Sequence, residues 1–498
     1  MELPTLASLN LEVSAPVLAV MGWALIVLLI DLAIPSGRKY WTAWLSIAGL
    51  LVVLGALILQ AVGRFGPSLP AASFGGMLIV DGFAVFLQIV FVLSAAISIL
   101  LALDYLPRHG IERGEYYTLV LFSTGGMMLM ALAADLVVIL IALELLTIPL
   151  YILSGFARPR LDSEEAAMKY FLLGAFASSF LTFGVALAYG GTGATSLAAM
   201  RAVLSGEAAS VPLAVAGMAL ILAGLGFKVA AVPFHMWTPD VYQGAPTPTT
   251  AFMSVGAKAG GFAPLIRLVV AAMPALAGQW GVLIAIIAIL TMIVGNVVAI
   301  AQSNIKRMLA YSSIAHAGYV LVAIAAAQQP QNAPLAVSAA IFYLLTYTFT
   351  NLGAFAVVIA VERADGSGNQ IDDFAGLGKT HPGLALAMTL FMLSLTGLPI
   401  SAGLVGKFFV FQAAVLAATN SSWMLAAAIV GVVTSVISAF YYIRVILVMY
   451  MRDGAGEAVL PPALATALWV TALGTFILGI MPTPLFQLAR YAVLALGG

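Results

Sequence analysis

Residues 224–261 read GLGFKVAAVPFHMWTPDVYQGAPTPTTAFMSVGAKAGG, and they place two lysines, Lys228 and Lys258, inside apolar runs long enough to cross a bilayer. Between them lies a segment interrupted by proline and glycine that carries His235, Trp237 and Asp240. A lysine at the centre of a membrane helix costs roughly 2.5–3.5 kcal/mol, so an intramembrane lysine marks a functional site by default. Two on neighbouring spans make the case stronger than one.

The composition fixes the class. The 498 residues are 63% hydrophobic and 8% charged, with a mean hydropathy of +1.11, whereas soluble domains carry about a quarter charged residues. The expectation is an all-α polytopic membrane protein whose main partner is the lipid bilayer. Twenty basic residues balance twenty acidic ones, and the lack of a basic tract argues against nucleic acid as a partner. The chain has no cysteine, which excludes disulfides, thiolate metal sites and iron–sulfur ligation within it. Its four histidines, at 109, 235, 316 and 381, lack metal-ligand spacing. The first apolar run, 15–34, has no basic stretch before it and reads as a retained span, not a cleaved signal. The glycine-rich stretch 189–196 lacks the lysine and flanking strand of a phosphate loop and reads as a turn between helices.

Hydropathy predicts about fourteen spans. The third is expected near 78–103, the seventh near 211–235, the eighth near 248–272, the twelfth near 383–415 and the last near 463–488. The seventh runs through Pro233, and the twelfth holds Gly397, Pro399, Gly403 and Gly406. Such broken helices survive in hydrocarbon only where protein or a wet cavity covers the freed backbone groups. Spans 7 and 12 lie five apart and each carries a lysine, Lys228 and Lys407. This predicts two inverted five-helix repeats, since five is odd, and paired interrupted segments point to a transport pathway. The expected divisions are 1–110 (helices 1–3), 111–275 (helices 4–8), 276–455 (helices 9–13) and 456–498 (helix 14). Basic residues gather in the loops after odd-numbered spans, including Arg38, Lys39, Arg108, Arg158, Arg160, Lys306, Arg307 and Arg452. By the positive-inside rule those loops are cytoplasmic and both termini lie outside.

Four charges fall deep within the spans: Glu144, Lys228, Lys258 and Lys407. Unpaired, they would cost on the order of ten kcal/mol together, so they must face the interior, pair or neutralise. Asp31, Asp81, Asp104 and Asp135 fall at span ends, where reaching toward the interface is expected to make a charge cheap. Polar stripes accompany the deep charges at helical spacing. Thr147, Tyr151 and Ser154 follow Glu144; Thr250 and Ser254 precede Lys258; Ser312, His316 and Tyr319 share a face; so do Tyr343, Thr346, Tyr347, Thr350 and Asn351. Such stripes suit a buried proton wire. A desolvated lysine can give up its proton and regain it beside a carboxylate, which arginine cannot do. Plainer readings stand beside this one: a Glu144–Lys228 structural lock, His235 as a helix cap, His316 as a satisfied core histidine, and Tyr343 and Tyr347 as helix-to-helix hydrogen bonders.

Four stretches carry a family resemblance: LELLTIPLYIL (143–153), FKVAAVPFHMWTPDVYQGAPTP (227–248), NIKRMLAYSSIAHAGYVLVA (304–323) and LSLTGLPISAGLVGKFFVF (393–411). With them the chain resembles the antiporter-like membrane subunits of respiratory complex I, the proton-pumping NADH:quinone oxidoreductase. Lysine at 258 and at 407 resembles the N type (subunit 2), as does the lack of a long lateral helix after the last span. The resemblance implies that Glu144 pairs with Lys228 in a first half-channel, that Lys258 links the halves, and that Lys407 serves the second. It places His316 where the family often has a histidine. It further implies that NADH, FMN, iron–sulfur clusters and quinone belong to partner subunits, with no cofactor in this chain. The partners are then the other membrane subunits of the complex, sister antiporter-like subunits included, in a bacterial inner membrane. The runners-up are a component of a stand-alone Na⁺/H⁺ antiporter and a silent scaffold.

Overall fold

The structure, a computed structural model, describes residues 9–64, 66, 68–206, 211–492 and 494–495. Helix 1 is Ala15–Asp31, helix 2 Tyr40–Ala61, helix 3 Gly82–Arg108, helix 4 Glu115–Leu132, helix 5 Leu136–Ser154 and helix 6 Leu161–Thr192. Helix 7a is Val211–Val229 and helix 7b Trp237–Gly244. Helix 8 runs through Thr247–Ala272. Then come helix 9 (Ala277–Ile300), helix 10 (Ile305–Ala326) and helix 11 (Ala333–Val361). Helix 12a is Pro382–Thr396, helix 12b Ala402–Ala417, helix 13 Ser422–Met451 and helix 14 Pro462–Ile480. Among the described residues twelve helices are long and apolar enough to cross a membrane; helices 1, 4 and 12a pack among them without meeting both measures. The protein is a multi-pass membrane protein.

Three details refine the sequence reading. The chain is nearly all helical, with one short antiparallel pair, Ala71–Ser73 with Leu78–Val80. Helix 3 therefore starts at Gly82 and not at 78, where the Asp81 side chain caps it by accepting from the Ala84 N–H at 2.8 Å. At the other end, helix 14 stops at Ile480, because Pro482 cannot continue the hydrogen-bond ladder. A separate short helix, Thr483–Tyr491, follows it.

Burial sorts the helices. The cores of helices 8, 10 and 11 are 94% buried, whereas helices 6 and 13 are only 33% buried. The first three thus form the centre of the bundle and the others its lipid-side wall. The acidic residues at span ends do not snorkel as expected. Asp81 is 1% exposed and forms a bidentate pair with the fully buried Arg267, at 2.9 and 3.0 Å. The same guanidinium donates to the carbonyls of Ala131 and Ala495 at 3.0 and 2.8 Å. Asp31 is likewise buried, held by Lys39 at 2.8 Å and Thr42 at 2.5 Å. Proximity to a span end is outweighed here by local partners, which satisfy the carboxylates better than distant water.

Helix 7b is tied down at its exposed edge. Asp240 accepts from Lys169 on helix 6 at 2.8 Å and from Arg307 on helix 10 at 2.7 Å. Burial raises the Asp240 pKa, but the two cationic partners outweigh it and hold the group below the usual carboxylate range. A depressed folded value means the tie is complete above the unfolded value, near 3.8, and is lost as pH falls through the folded one.

Two outcomes follow. Asp81→Asn leaves Arg267 buried without its counter-charge and is expected to cost about 3–5 kcal/mol, seen as a lower thermal midpoint in detergent, with much of the loss recovered in Asp81→Asn/Arg267→Met. Amide protection across 237–244, relative to the intrinsic exchange rate, is expected to be high at neutral pH and to fall below about pH 4. In Asp240→Asn protection should be low at every pH.

Candidate proton-relay site

The break in span 7 is built from its own sequence. Helix 7a ends at Val229, and Ala230 takes a left-handed conformation, φ 61°. The freed backbone groups are answered from within the protein. Val232 N–H donates to Thr291 Oγ1 on helix 9 at 2.9 Å, and Trp237 Nε1 donates to the Phe227 carbonyl at 2.9 Å. In span 12, Gly397 (φ 90°) closes helix 12a, its N–H donating to the Leu393 and Ser394 carbonyls at 3.0 Å. A side chain at Gly403 would strike the Ser394 carbonyl, so only glycine allows the two half-helices to meet there.

Lys228 lies in the last turn of helix 7a and is 3% exposed. Its Nζ donates to Thr147 Oγ1 at 2.9 Å and to Tyr170 Oη at 3.0 Å. The expected direct pair with Glu144 is not formed. Glu144 accepts instead from Ser178 Oγ on helix 6 at 2.7 Å, and it lies partly exposed beside the exposed Ile141 and Ile148. Thr147 lies one turn along helix 5 from Glu144.

Lys258 is 4% exposed and sits directly after a π-helical turn, Met253–Ala257. A second π turn, Arg267–Ala272, ends the helix. Such turns widen a helix locally and occur often at functional positions. Lys258 Nζ donates to Ser313 Oγ at 2.6 Å and lies 5.8 Å from the centre of the Tyr242 ring. It borders a cavity of about 10 Å³ shared with Ser313, His316, Tyr343 and Tyr347. A second cavity of the same size is bounded by His316, Tyr343, Tyr347, Thr350, Ser394 and Gly403. Each has room for about one water molecule. Tyr347 borders both cavities, and its buried hydroxyl has no protein partner.

His316 joins these spaces. Its Nδ1 is 2.6 Å from Tyr343 Oη and its Nε2 3.1 Å from Tyr442 Oη, which in turn lies 2.5 Å from Ser312 Oγ. A hydroxyl can donate or accept, so either tautomer of the ring is served on both sides. Beyond the second cavity is Lys407, 4% exposed, on helix 12b. Its Nζ donates to the Leu395 and Thr396 carbonyls at 3.0 and 2.8 Å and lies 4.8 Å from the Tyr319 ring centre. The ammonium thus caps helix 12a, at the negative end of its dipole. Lys407 follows its break whereas Lys228 precedes one, so the two are not in equivalent places.

His235 does not cap the broken helix. Its Nδ1 is buried without a partner, and helix 7b begins without a side-chain cap. Tyr170, Ser178, Ser313 and Tyr442 were not found by reading the sequence. Ser313 adjoins the Ser312 chosen for the stripe; Ser313 meets Lys258, and Ser312 turns to Tyr442. Among the described residues no group of three or more His, Cys, Asp or Glu side chains is placed to hold a metal ion.

Comparison with known proteins matches residues 133–438 to the NADH:quinone oxidoreductase/Mrp antiporter transmembrane family. The chain belongs to this family. It is 46% identical to NADH-quinone oxidoreductase subunit N of Chloroflexus aggregans over 99% of both chains. With subunit N of Trichlorobacter lovleyi it shares 47% identity over 98% of this chain and 97% of the relative. A chain of respiratory complex I from Thermus thermophilus is 34% identical, with a TM-score of 0.78 over 97% of this chain and 100% of that one. Within the family, the chain is therefore an antiporter-like membrane subunit of the N type.

The contacts of Lys228 generate a test. Thr147→Val with Tyr170→Phe removes both hydroxyls that hold its ammonium, at an expected cost of about 1–3 kcal/mol. The thermal midpoint should fall in the otherwise wild-type protein and move much less in a Lys228→Met background.

Proposed function

We propose that this chain is a proton-translocating membrane-arm subunit of a NADH:quinone oxidoreductase. In this reading a proton passes along Glu144, Lys228, Lys258 and Lys407, and quinone reduction in partner subunits supplies the drive. NADH, FMN, iron–sulfur clusters and quinone then reside in those partners, and the chain itself carries out no redox chemistry. We assign residues 111–275 and 276–455 to two inverted repeats within a fourteen-span bundle. The membrane is the bacterial inner membrane, with both termini on the periplasmic side.

One observation carries the reading: Lys228, Lys258 and Lys407 are buried and held by neutral groups. Hydroxyls receive Lys228 and Lys258, and carbonyls receive Lys407. No carboxylate lies within ion-pair distance of any of them among the described residues. A lysine locked to a carboxylate is stabilised as the cation, while one held by hydroxyls exchanges its proton at lower cost. From Lys258 onward the polar groups follow closely: Ser313, the two water-sized cavities, His316 with its flanking tyrosines, and Lys407.

Association with other membrane subunits is supported by Glu144. A carboxylate on an outer face, among exposed Ile141, Ile148 and Phe176, is costly against lipid tails. A neighbouring subunit that covers this face removes the cost. The other reading, a component of a stand-alone Na⁺/H⁺ antiporter, is favoured only by the Mrp portion of the family's description.

In the reconstituted complex, Lys228→Ala and Lys407→Ala are expected to depress proton pumping and the coupled oxidation of NADH. Arginine at either site should not restore turnover, because its proton is not released. Wild-type pumping by the doubly substituted complex would remove the relay, and sodium-dependent transport by the isolated chain would favour the antiporter reading.

A further inference from the structure

One buried titratable cluster lies outside the relay just described. Glu362 follows helix 11 directly and is 2% exposed. Its Oε1 accepts from Tyr105 Oη at 3.0 Å, and its Oε2 accepts from Thr247 Oγ1, the first residue of helix 8, at 2.5 Å. His109, which ends helix 3, places Nε2 3.8 Å from Oε1 and stacks on the Tyr105 ring at 3.8 Å between centres.

The two ring nitrogens of His109 are both committed to acceptors. Nδ1 lies 2.9 Å from the Tyr105 carbonyl and Nε2 3.0 Å from the Arg363 carbonyl. A neutral imidazole has one N–H, so one of these contacts would set a lone pair against a carbonyl oxygen; only the imidazolium donates to both. Burial pulls the ring toward neutrality, the Tyr105 carbonyl, Glu362 and the Arg363 carbonyl push it back toward the cation, and Arg108 opposes them. Other charges face the cluster. Arg108 donates to the Ile359 carbonyl at 2.6 Å, Lys306 of helix 10 to the Ala245 carbonyl at 2.7 Å, and Arg160 acts on Glu362 from before helix 6. Burial, the largest of these influences, holds the ring below the usual histidine value, so a proton taken up there is readily given up. The His109 side chain is 4% exposed and lies where helix 3 meets the Arg363 backbone.

Thr247 is also the start of a polar face. Thr247, Thr250, Ser254 and Lys258 follow at offsets of three, four and four along helix 8, which places them on one side. Ser254 accepts from Asn351 Nδ2 of helix 11 at 2.7 Å, and the buried Asn351 Oδ1 has no protein partner.

We propose that His109 and Glu362 form a proton-loading site on the side of the odd-numbered loops, feeding Lys258 along the Thr247–Thr250–Ser254 face of helix 8. The proton arrives on His109, passes to a Glu362 carboxylate oxygen, and leaves by way of the Thr247 hydroxyl, which accepts it and releases its own toward Thr250. No electrons move. This deepens the relay reading and rests on it.

The test uses the whole complex in native-composition vesicles, with pumping measured against bulk pH for Glu362→Gln, His109→Gln and Lys258→Ala. Without a local reservoir, loading depends on the bulk proton concentration. Pumping by Glu362→Gln is therefore expected to fall about tenfold between about pH 7 and about pH 8, against a much flatter wild-type profile. Glu362→Asp should restore part of the flatness, which a merely structural role would not predict. A wild-type profile in Glu362→Gln and His109→Gln, with Lys258→Ala defective, overturns the loading site and leaves the relay standing. Normal pumping by Lys258→Ala overturns both. If Glu362→Gln does not assemble, the profile of His109→Gln decides by the same criterion.

Discussion

Hydrocarbon offers no hydrogen-bonding partner, so every interruption of a membrane helix must be answered from inside the protein. That constraint organises this chain. Three of the places where a helix departs from α-geometry stand beside a buried lysine. Helix 7a breaks one residue after Lys228, helix 8 passes through a π turn into Lys258, and helix 12a ends on carbonyls that the Lys407 ammonium caps. Broken backbone and buried charge each cost several kcal/mol alone. At Lys407 the two answer each other directly, the freed carbonyls receiving the ammonium, whereas Lys228 and Lys258 are received by hydroxyls of neighbouring helices.

The division of charges follows the same logic. On the rim, charges are paired: Asp240 with Lys169 and Arg307, Asp31 with Lys39, and Asp81 with Arg267. Such pairs fix helix ends in place, and a bidentate pair as buried as Asp81–Arg267 is costly to break from one side. In the interior the three lysines have only hydroxyl, ring and carbonyl neighbours. A group whose charge is locked cannot carry a proton onward. Fixed pairs at the edge and loosely held lysines at the centre give a rigid frame around a part able to change its protonation.

The sequence revealed the parts governed by period and composition. Hydropathy located most of the helices, Pro233 and Gly397 fall at the breaks, and helical spacing put His316 on one polar face and Tyr343 on another; that the two faces meet, at 2.6 Å, is decided by packing. Partners across helices were harder to read. Lys228 was expected on Glu144, yet Lys228 turns to Thr147 and Tyr170 while Glu144 takes Ser178, and nothing in local spacing reveals which partners neighbouring helices supply. The π turn before Lys258 leaves no mark in a run such as AFMSVGAKAGG, because it arises from packing against neighbours. Glu362 looked like a loop residue because Arg363, Asp365 and Asp373 follow it; its burial depends on Tyr105 and Thr247, distant in the chain and adjacent in the fold.

The central claim is a continuous polar route between Lys258 and Lys407, and a density map of the assembled complex fine enough to show ordered water tests it most directly. The account predicts a water against Ser313, His316 and the free Tyr347 hydroxyl, and another against His316, Thr350 and Ser394, linking the tyrosine-flanked histidine to both lysines. Two dry cavities, with Tyr347 turned away to another partner, would contradict it.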